Sequence, residues 1–173
     1  MAKQDQVPFG SGFGANSTAD EVLAGIDLSG QNIIVTGGYS GIGIETVRSL
    51  AKAGACVTVP ARRVDVATQA LAQVAGNIEI AEMDLADTGS VKRFAKTYRE
   101  TGRGLDVLIN NAGTMACPEA RVGPGWESQF GINHLGHMIL GMELAPAMQA
   151  AESARLVALS SSAHSMSDIQ WDD

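Results

Sequence analysis

The stretch Thr36-Gly-Gly-Tyr-Ser-Gly-Ile-Gly43 follows the apolar run Ile33-Ile34-Val35 and precedes a segment with helical periodicity. Glycine suits neither neighbour, because it loses more backbone freedom on folding than any other residue. It suits a backbone that must meet a ligand. Absent side chains let main-chain amides reach phosphate oxygens and let a helix pack closely on a strand, while the Thr36 hydroxyl can hold the turn. The chemistry on offer is binding of a diphosphate at a helix N-terminus. The common dinucleotide fingerprint is GxGxxG, whereas here the pattern is TGxxxGxG, with a longer loop between its first two glycines.

Other reactive residue types are less informative. Ser160-Ser161 close an apolar run, where hydroxyls often do no more than satisfy loose backbone groups. His134 and His137 are three apart, a spacing able to hold a metal, but no acid or cysteine is arranged beside them and no metal is expected. His164 follows Ser161 at the distance of a possible base or substitute acid. Cys56 and Cys117 lie far apart and outside any CxxC, which predicts spectator thiols. Met115, Met138, Met142 and Met148 read as core or pocket filler, and Trp126 as a packing anchor.

The elements that must position these groups alternate along the chain. Asn32–Thr36, Ala55–Pro60, Ile78–Met83, Asp106–Asn110 and Leu156–Ser160 read as strands buried on both faces. The first helix follows the glycine loop with Ile42, Val47, Leu50 and Ala51 inward and Gly54 at its end. Asp65 is positioned to cap a second through Val66, Ala70, Leu71 and Val74, closed by Gly76, and Asp87 a third through Val91, Phe94, Ala95 and Tyr98, ended by Gly102. A fourth is expected from about Trp126 to Met148, carrying Phe130, Leu135, Met138, Leu140 and Leu144, with Pro146 kinking or ending its last turn. This alternation predicts an α/β fold, a Rossmann-type doubly wound parallel sheet of about five strands. Residues 1–29 read as an N-terminal arm with one short helix, since Thr18-Ala-Asp-Glu21 is a capping box, and 30–173 as the dinucleotide-binding domain.

The loop spacing resembles the short-chain dehydrogenase/reductase family, and four further segments agree in order across residues 30 to 165. Asp84-Leu85 looks like the family's adenine-contacting pair, Asn110-Asn111-Ala112-Gly113 matches its NNAG, Asn133 sits where it carries a catalytic-site asparagine, and Ser160-Ser161 falls where its catalytic serine lies. The short segments GANSTADEVLAGIDLSG, VPARR, GINHLGH and SSSAH look most like the retinol-dehydrogenase-like and WW-domain-oxidoreductase-like branch. The resemblance implies a cofactor site made of Thr36, Gly37, Ser40, Gly41, Ile42, Gly43, Arg62, Asp84, Leu85, Asn111, Ala112 and Gly113. It also implies Ser161 as the donor to substrate oxygen, with Ser160 as fallback, and Asn133 as organiser of the helix and of a water.

The second strand discriminates between nicotinamide dinucleotides, because an acid at its end binds both ribose hydroxyls and repels a phosphate. Here it ends Pro60-Ala61-Arg62-Arg63, with alanine where the family's NAD-type members place the acid. A guanidinium fork matches a 2′-phosphate, so NADP is expected over NAD. Alternatively Arg62 and Arg63 are a solvated pair at a helix entry.

Carbonyl reduction needs hydride for carbon and a proton for oxygen, and the family's proton donor is a tyrosine paired with lysine as YxxxK. Tyr39 and Tyr98 are the chain's tyrosines, and neither has lysine four positions on. The ending Ser165-Met-Ser-Asp-Ile-Gln-Trp-Asp-Asp173 resembles the loop before YxxxK, so the chain is expected to be cut off before the catalytic pair, lacking the C-terminal part of the family fold and leaving an uncovered sheet edge. Trp171 remains unassigned.

Composition sets outer bounds. At 173 residues, 45% apolar and 18% charged, the chain suits one globular domain. Net charge −7 with scattered basic residues argues against nucleic acid or an anionic membrane as partner. The opening lacks the long apolar stretch of a signal or anchor, so a cytoplasmic location is expected. The partner implied is a small-molecule alcohol or carbonyl, lipophilic if the branch resemblance holds; the family also tends to form homo-oligomers. The leading reading is an NADP(H)-dependent oxidoreductase. Its rival is a non-catalytic NADP(H)-binding or interaction protein, and an extended-type nucleotide-sugar epimerase is disfavoured because that group spaces its glycines TGxxGxxG.

Overall fold

A computed structural model describes residues 10–162 and 166–168. Strands β1 (Asn32–Val35), β2 (Cys56–Ala61), β3 (Asn77–Glu82) and β4 (Val107–Asn110) alternate with helices α2 (Gly41–Lys52), α3 (Val64–Leu71) and α4 (Thr88–Glu100), after a first short helix α1 (Ala19–Val22). A hairpin of β5 (Arg121–Val122) and β6 (Trp126–Glu127) follows, then a π-helical segment Phe130–Gly136, helix α5 (His137–Gln149) and strand β7 (Arg155–Ala158). The main sheet is parallel in the order β3-β2-β1-β4-β7. It is the doubly wound sheet that the alternation predicts.

Successive side chains of a strand point to opposite faces, and β1 shows why the sheet needs helices on both. Ile33 and Val35 pack with Val47, Leu50 and Leu71 of α2 and α3. Ile34 packs with Val91, Phe94, Leu140 and Leu144 of α4 and α5. Asp87 caps α4 as expected, its side chain accepting from the Gly89 amide at 2.8 Å. Gly54, Gly76 and Gly102 all take positive φ where the preceding helices end.

Several expectations need correction. Burial on both faces fails for β7, whose four residues are exposed, and for β3, because these are the two edges of the sheet and burial of an apolar run depends on its place in the order. Ile42 is 71% exposed, since it opens α2 at the carboxyl edge of the sheet while Val47, Leu50 and Ala51 face the core. Arg63 and not Asp65 holds the cap position of α3; Asp65 lies in the first turn, where its charge suits the helix dipole, and Ala67 takes the buried place expected of Ala70.

The single helix expected from Trp126 is in fact three elements. Gly123 and Gly125, with φ of 56° and 116°, turn the chain into the hairpin, and a Cβ on Gly123 would lie 2.9 Å from the Trp126 ring. The Glu127 carboxylate then accepts from the amides of Gln129 at 2.9 Å and Phe130 at 2.8 Å and starts the π-helical segment. Phe130 and Met138 end up half exposed, whereas Leu140 and Leu144 are fully buried. Helix α5 continues through Pro146 to Gln149, so the proline does not end it.

The arm helix forms as its capping box predicts, with Thr18 N donating to Glu21 Oε2 at 2.7 Å and Glu21 N to Thr18 Oγ1 at 3.2 Å. Asp20 fastens it to α2 through Ser49 at 2.5 Å, Lys52 at 2.9 Å and Arg48 at 3.1 Å. Those donors, Ser49 foremost, hold its carboxyl well below the usual range. Thr18→Ala should loosen this helix by about 1 kcal/mol, read as roughly 5-fold faster amide exchange at Glu21. Unchanged exchange there would show that the Asp20 contacts alone hold the arm.

Candidate functional site

Ligands of doubly wound sheets bind beyond the carboxyl ends of strands, where the strand order reverses, which here is between β1 and β4. A cleft of about 340 Å³ opens there. The first turn supplies Thr36, Gly37, Tyr39, Ser40 and Ile42; the second Pro60, Ala61 and Arg62; the third Met83, Asp84 and Leu85; the fourth Asn111, Ala112, Gly113 and Thr114; and the π-helical segment Ile132. Every expected cofactor residue lines it except Gly41 and Gly43, which shape the loop beneath. Tyr39, Pro60, Ala61, Met83, Thr114 and Ile132 were not in the expected set. All six lie within or beside a motif in sequence, Ile132 within GINHLGH, and that is the signal that could have found them.

The glycines are required for two different reasons. Gly37 has φ +65°, and a Cβ on it would lie 2.9 Å from Ala112 Cα. Gly43 has an ordinary φ, but its Cβ would strike the Gly37 carbonyl and lie 2.7 Å from Asn111 Nδ2. The loop is thus pressed against the segment after β4. Helix α2 begins at Ser40 without a side-chain cap bond and without an acid in its first turn, so its own first turn does not compensate the positive end of its dipole. Such an end favours a bound anion.

The Thr36 hydroxyl pins the turn. It accepts from the amides of Asn111 and Ala112, each at 2.9 Å, and lies 2.9 Å from His137 Nε2, while Asn111 Nδ2 donates to the Thr36 carbonyl at 2.8 Å. Asp84 is fixed by a bond from its own amide to Ser90 Oγ at 3.0 Å and accepts from Ala86 N at 2.9 Å. Strand β2 ends in buried Ala61, and the exposed Arg62 beside it makes no ion pair or hydrogen bond with a described residue. The cleft thus combines a glycine turn too tight for a Cβ with a guanidinium that has no partner among the described residues.

A second cleft, about 990 Å³, shares Asn111, Ala112 and Gly113 with the first and brings Asn133, Ser160 and Ser161 to one wall. Its other surfaces include Met138, Met142, Leu156 and Leu159, all largely exposed and apolar. The Asn133 amide is held at both ends, donating to the Thr114 carbonyl at 2.8 Å and accepting from the Thr114 amide at 2.9 Å. Asn110, which also lines this cleft, has a buried Oδ1 with no partner among the described residues.

Of the other reactive side chains, His134 and His137 also line the second cleft, while Tyr98 and the two cysteines lie elsewhere. Burial pushes the Tyr98 hydroxyl up to about 12, and it donates to the Gly104 carbonyl within the α4 packing, away from both clefts. Cys56 sits between Glu79 and Arg103, where burial pushes its thiol up, and Cys117 neighbours Ser128. His134 stacks on Phe130 with ring centres 5.2 Å apart, while His137 points into the protein. His164 and Trp171 lie outside the described residues. Among the described residues no three His, Cys, Asp or Glu side chains gather as for a metal, and no helix is long and apolar enough to cross a membrane.

Comparison with known proteins bears on this geometry. The sequence pattern of the short chain dehydrogenase family matches residues 31–172. A "Probable oxidoreductase" of Streptomyces antibioticus is 44% identical over 154 residues, 86% of this chain and 51% of that protein. Retinol dehydrogenase 12 of Mus musculus is 36% identical over 153 residues, 86% of this chain and 48% of that one, in line with the branch resemblance. Among solved structures, an uncharacterized protein from Mycobacterium Paratuberculosis is 41% identical with a TM-score of 0.74, covering 86% of this chain and 51% of its own. The Pseudomonas aeruginosa RhlG/NADP active-site complex is 30% identical with a TM-score of 0.66, covering 75% and 54%. The chain spans about half the length of the curated relatives it matches.

Proposed function

Because the chain belongs to the short chain dehydrogenase family, we propose that it binds NADP(H) in the first cleft and serves an oxidoreductase acting on a lipophilic alcohol or carbonyl in the second. The observation that carries this reading is the tight turn at Gly37, pressed on Gly43 beneath it, in one cleft with Arg62, which has no partner among the described residues. The amides of the turn and of the α2 N-terminus hold the diphosphate. Arg62 takes the 2′-phosphate, Asp84 and Leu85 meet the adenine, and Asn111 to Gly113 form the wall between cofactor and substrate. Bound nicotinamide supplies or accepts the hydride. Ser161 donates to the substrate oxygen as negative charge develops there, which lowers the barrier by electrostatic stabilisation. Asn133, with its amide held by Thr114, positions the wall, and the apolar Met138, Met142, Leu156 and Leu159 favour a substrate with a greasy body. The NADP in the RhlG complex supports the choice of dinucleotide.

A second reading is a non-catalytic NADP(H) binder, in which the same turn and Arg62 hold the nucleotide without turnover. Fluorescence titration of the purified protein with NADPH and NADH separates the cases. The proposal expects NADPH binding, with NADH at least ~10-fold weaker for want of the phosphate contact. Binding without turnover across a panel of aliphatic and aromatic carbonyls would favour the binder. Uptake of neither nucleotide would overturn both readings.

A further inference from the structure

His137 opens α5 directly after the π-helical segment and is 6% exposed. Its Nδ1 lies 2.8 Å from the Asn133 carbonyl, and its Nε2 lies 2.9 Å from Thr36 Oγ1. A carbonyl oxygen only accepts, so Nδ1 carries the ring proton. Burial drives the imidazole below its ordinary pKa and keeps it neutral, which leaves a lone pair on Nε2. The Thr36 hydroxyl must then donate to that nitrogen. Its other candidate acceptor, the Ile109 carbonyl, is at 3.4 Å and too far to compete. With its hydrogen committed, the oxygen can accept from Asn111 N and Ala112 N together.

These bonds close a circuit. Thr36 belongs to the diphosphate loop, Asn111 and Ala112 to the wall between the clefts, and Asn133 to the π-helical segment. The Asn133 side chain returns to Thr114, three residues beyond Asn111. π-Turns of this kind recur at functional sites, where they redirect a few backbone groups.

We propose that His137 is a positioning residue for the cofactor: as the neutral Nδ1–H tautomer it orients the Thr36 hydroxyl and thereby locks the glycine loop, the 111–114 wall and the π-helical segment into one body. The inference rests on the first cleft being the dinucleotide site. A phenyl ring in place of the imidazole would fill the space yet leave the Asn133 carbonyl and the Thr36 hydroxyl unmatched. Thr36→Val would remove the same link from the other end.

The test is a double-mutant cycle on NADPH affinity, with melting temperatures measured alongside. His137→Phe should weaken NADPH binding by roughly 10-fold, the scale of one buried hydrogen bond, and Thr36→Val, which also strands the amides of Asn111 and Ala112, by at least as much. The double variant should be no weaker than the poorer single, and Thr36→Ser, which keeps the hydroxyl, should recover most of the affinity that Thr36→Val loses. Losses that multiply, or variants with lower melting temperatures but unchanged affinity in the folded fraction, would reduce His137 to core filler and overturn the inference. If His137→Phe does not fold, long-range 1H–15N correlation on the unaltered protein decides. A neutral Nδ1–H ring agrees, whereas an Nε2–H or cationic ring overturns it. Failure of the unaltered protein to bind NADPH would instead refute the function reading, a different outcome.

Discussion

Arg62→Ala is expected to weaken NADPH binding by roughly 10- to 100-fold while changing NADH affinity by less than about 2-fold, the range set by one charge-assisted, bidentate phosphate contact. The asymmetry is the point of the experiment. Both nucleotides share the adenine, the diphosphate and the nicotinamide, so a change that merely disturbed the cleft would weaken both. Arg62 lines the cleft beside Ala61 and has no ion pair with a described residue to break, so its removal leaves no stranded carboxylate and little reason for lost stability. Arg63 supplies an internal control. It is exposed, occupies the cap position of α3 without a side-chain cap bond and does not line the cleft. Arg63→Ala should leave the NADPH:NADH affinity ratio unaltered. Equal losses for both nucleotides in Arg62→Ala would remove the case for 2′-phosphate recognition, and the pair of arginines would then be a solvated helix entry.

The parts of this site legible in the sequence are those whose constraint is local. Three glycines with an intervening serine can be read as a turn because the need for positive φ at Gly37 and Gly41 falls on single residues. Alternating apolar runs and capped helices likewise give the sheet, since each strand and helix carries its own period. What was illegible depends on distance or on topology. The His137–Thr36 contact joins residues 101 apart, and nothing near either position announces it. The expected helix from Trp126 had a convincing apolar period in Phe130, Leu140 and Leu144, but period is blind to the hairpin that Gly123 and Gly125 impose and to the extra residue per turn in the π-helical segment. Exposure of Leu156 and Val157 follows from β7 being outermost, a fact of strand order that an apolar run cannot contain. Ile42 escapes the core for a related reason: its period is right, yet it lies where the helix has just emerged from the loop and the core has not begun.

Gly43→Ala tests the cradle itself, and its expected effect is the largest: loss of measurable binding for NADPH and NADH alike. The added carbon would overlap the Gly37 carbonyl and come within 2.7 Å of Asn111 Nδ2, the group that donates to the Thr36 carbonyl. Both obstacles are backbone or held by backbone, so neither can swing away as the tip of a flexible chain would. The first turn of α2 must therefore move off the loop, which parts the amides from the positions that fit a diphosphate. Overpacking of this kind destabilises by about 1–3 kcal/mol, so unfolding is measured separately from binding. Gly102→Ala provides the comparison. Gly102 has φ +73° at the end of α4, an added Cβ meets nothing within 4 Å, and it is not part of either cleft. Alanine there costs about 1–2 kcal/mol through backbone strain alone. Two variants of similar melting temperature, one binding normally and the other not at all by calorimetry, would assign the loss to the close approach of loop and helix. Equal binding by both would mean that the Gly43 contact shapes the fold without shaping a nucleotide site.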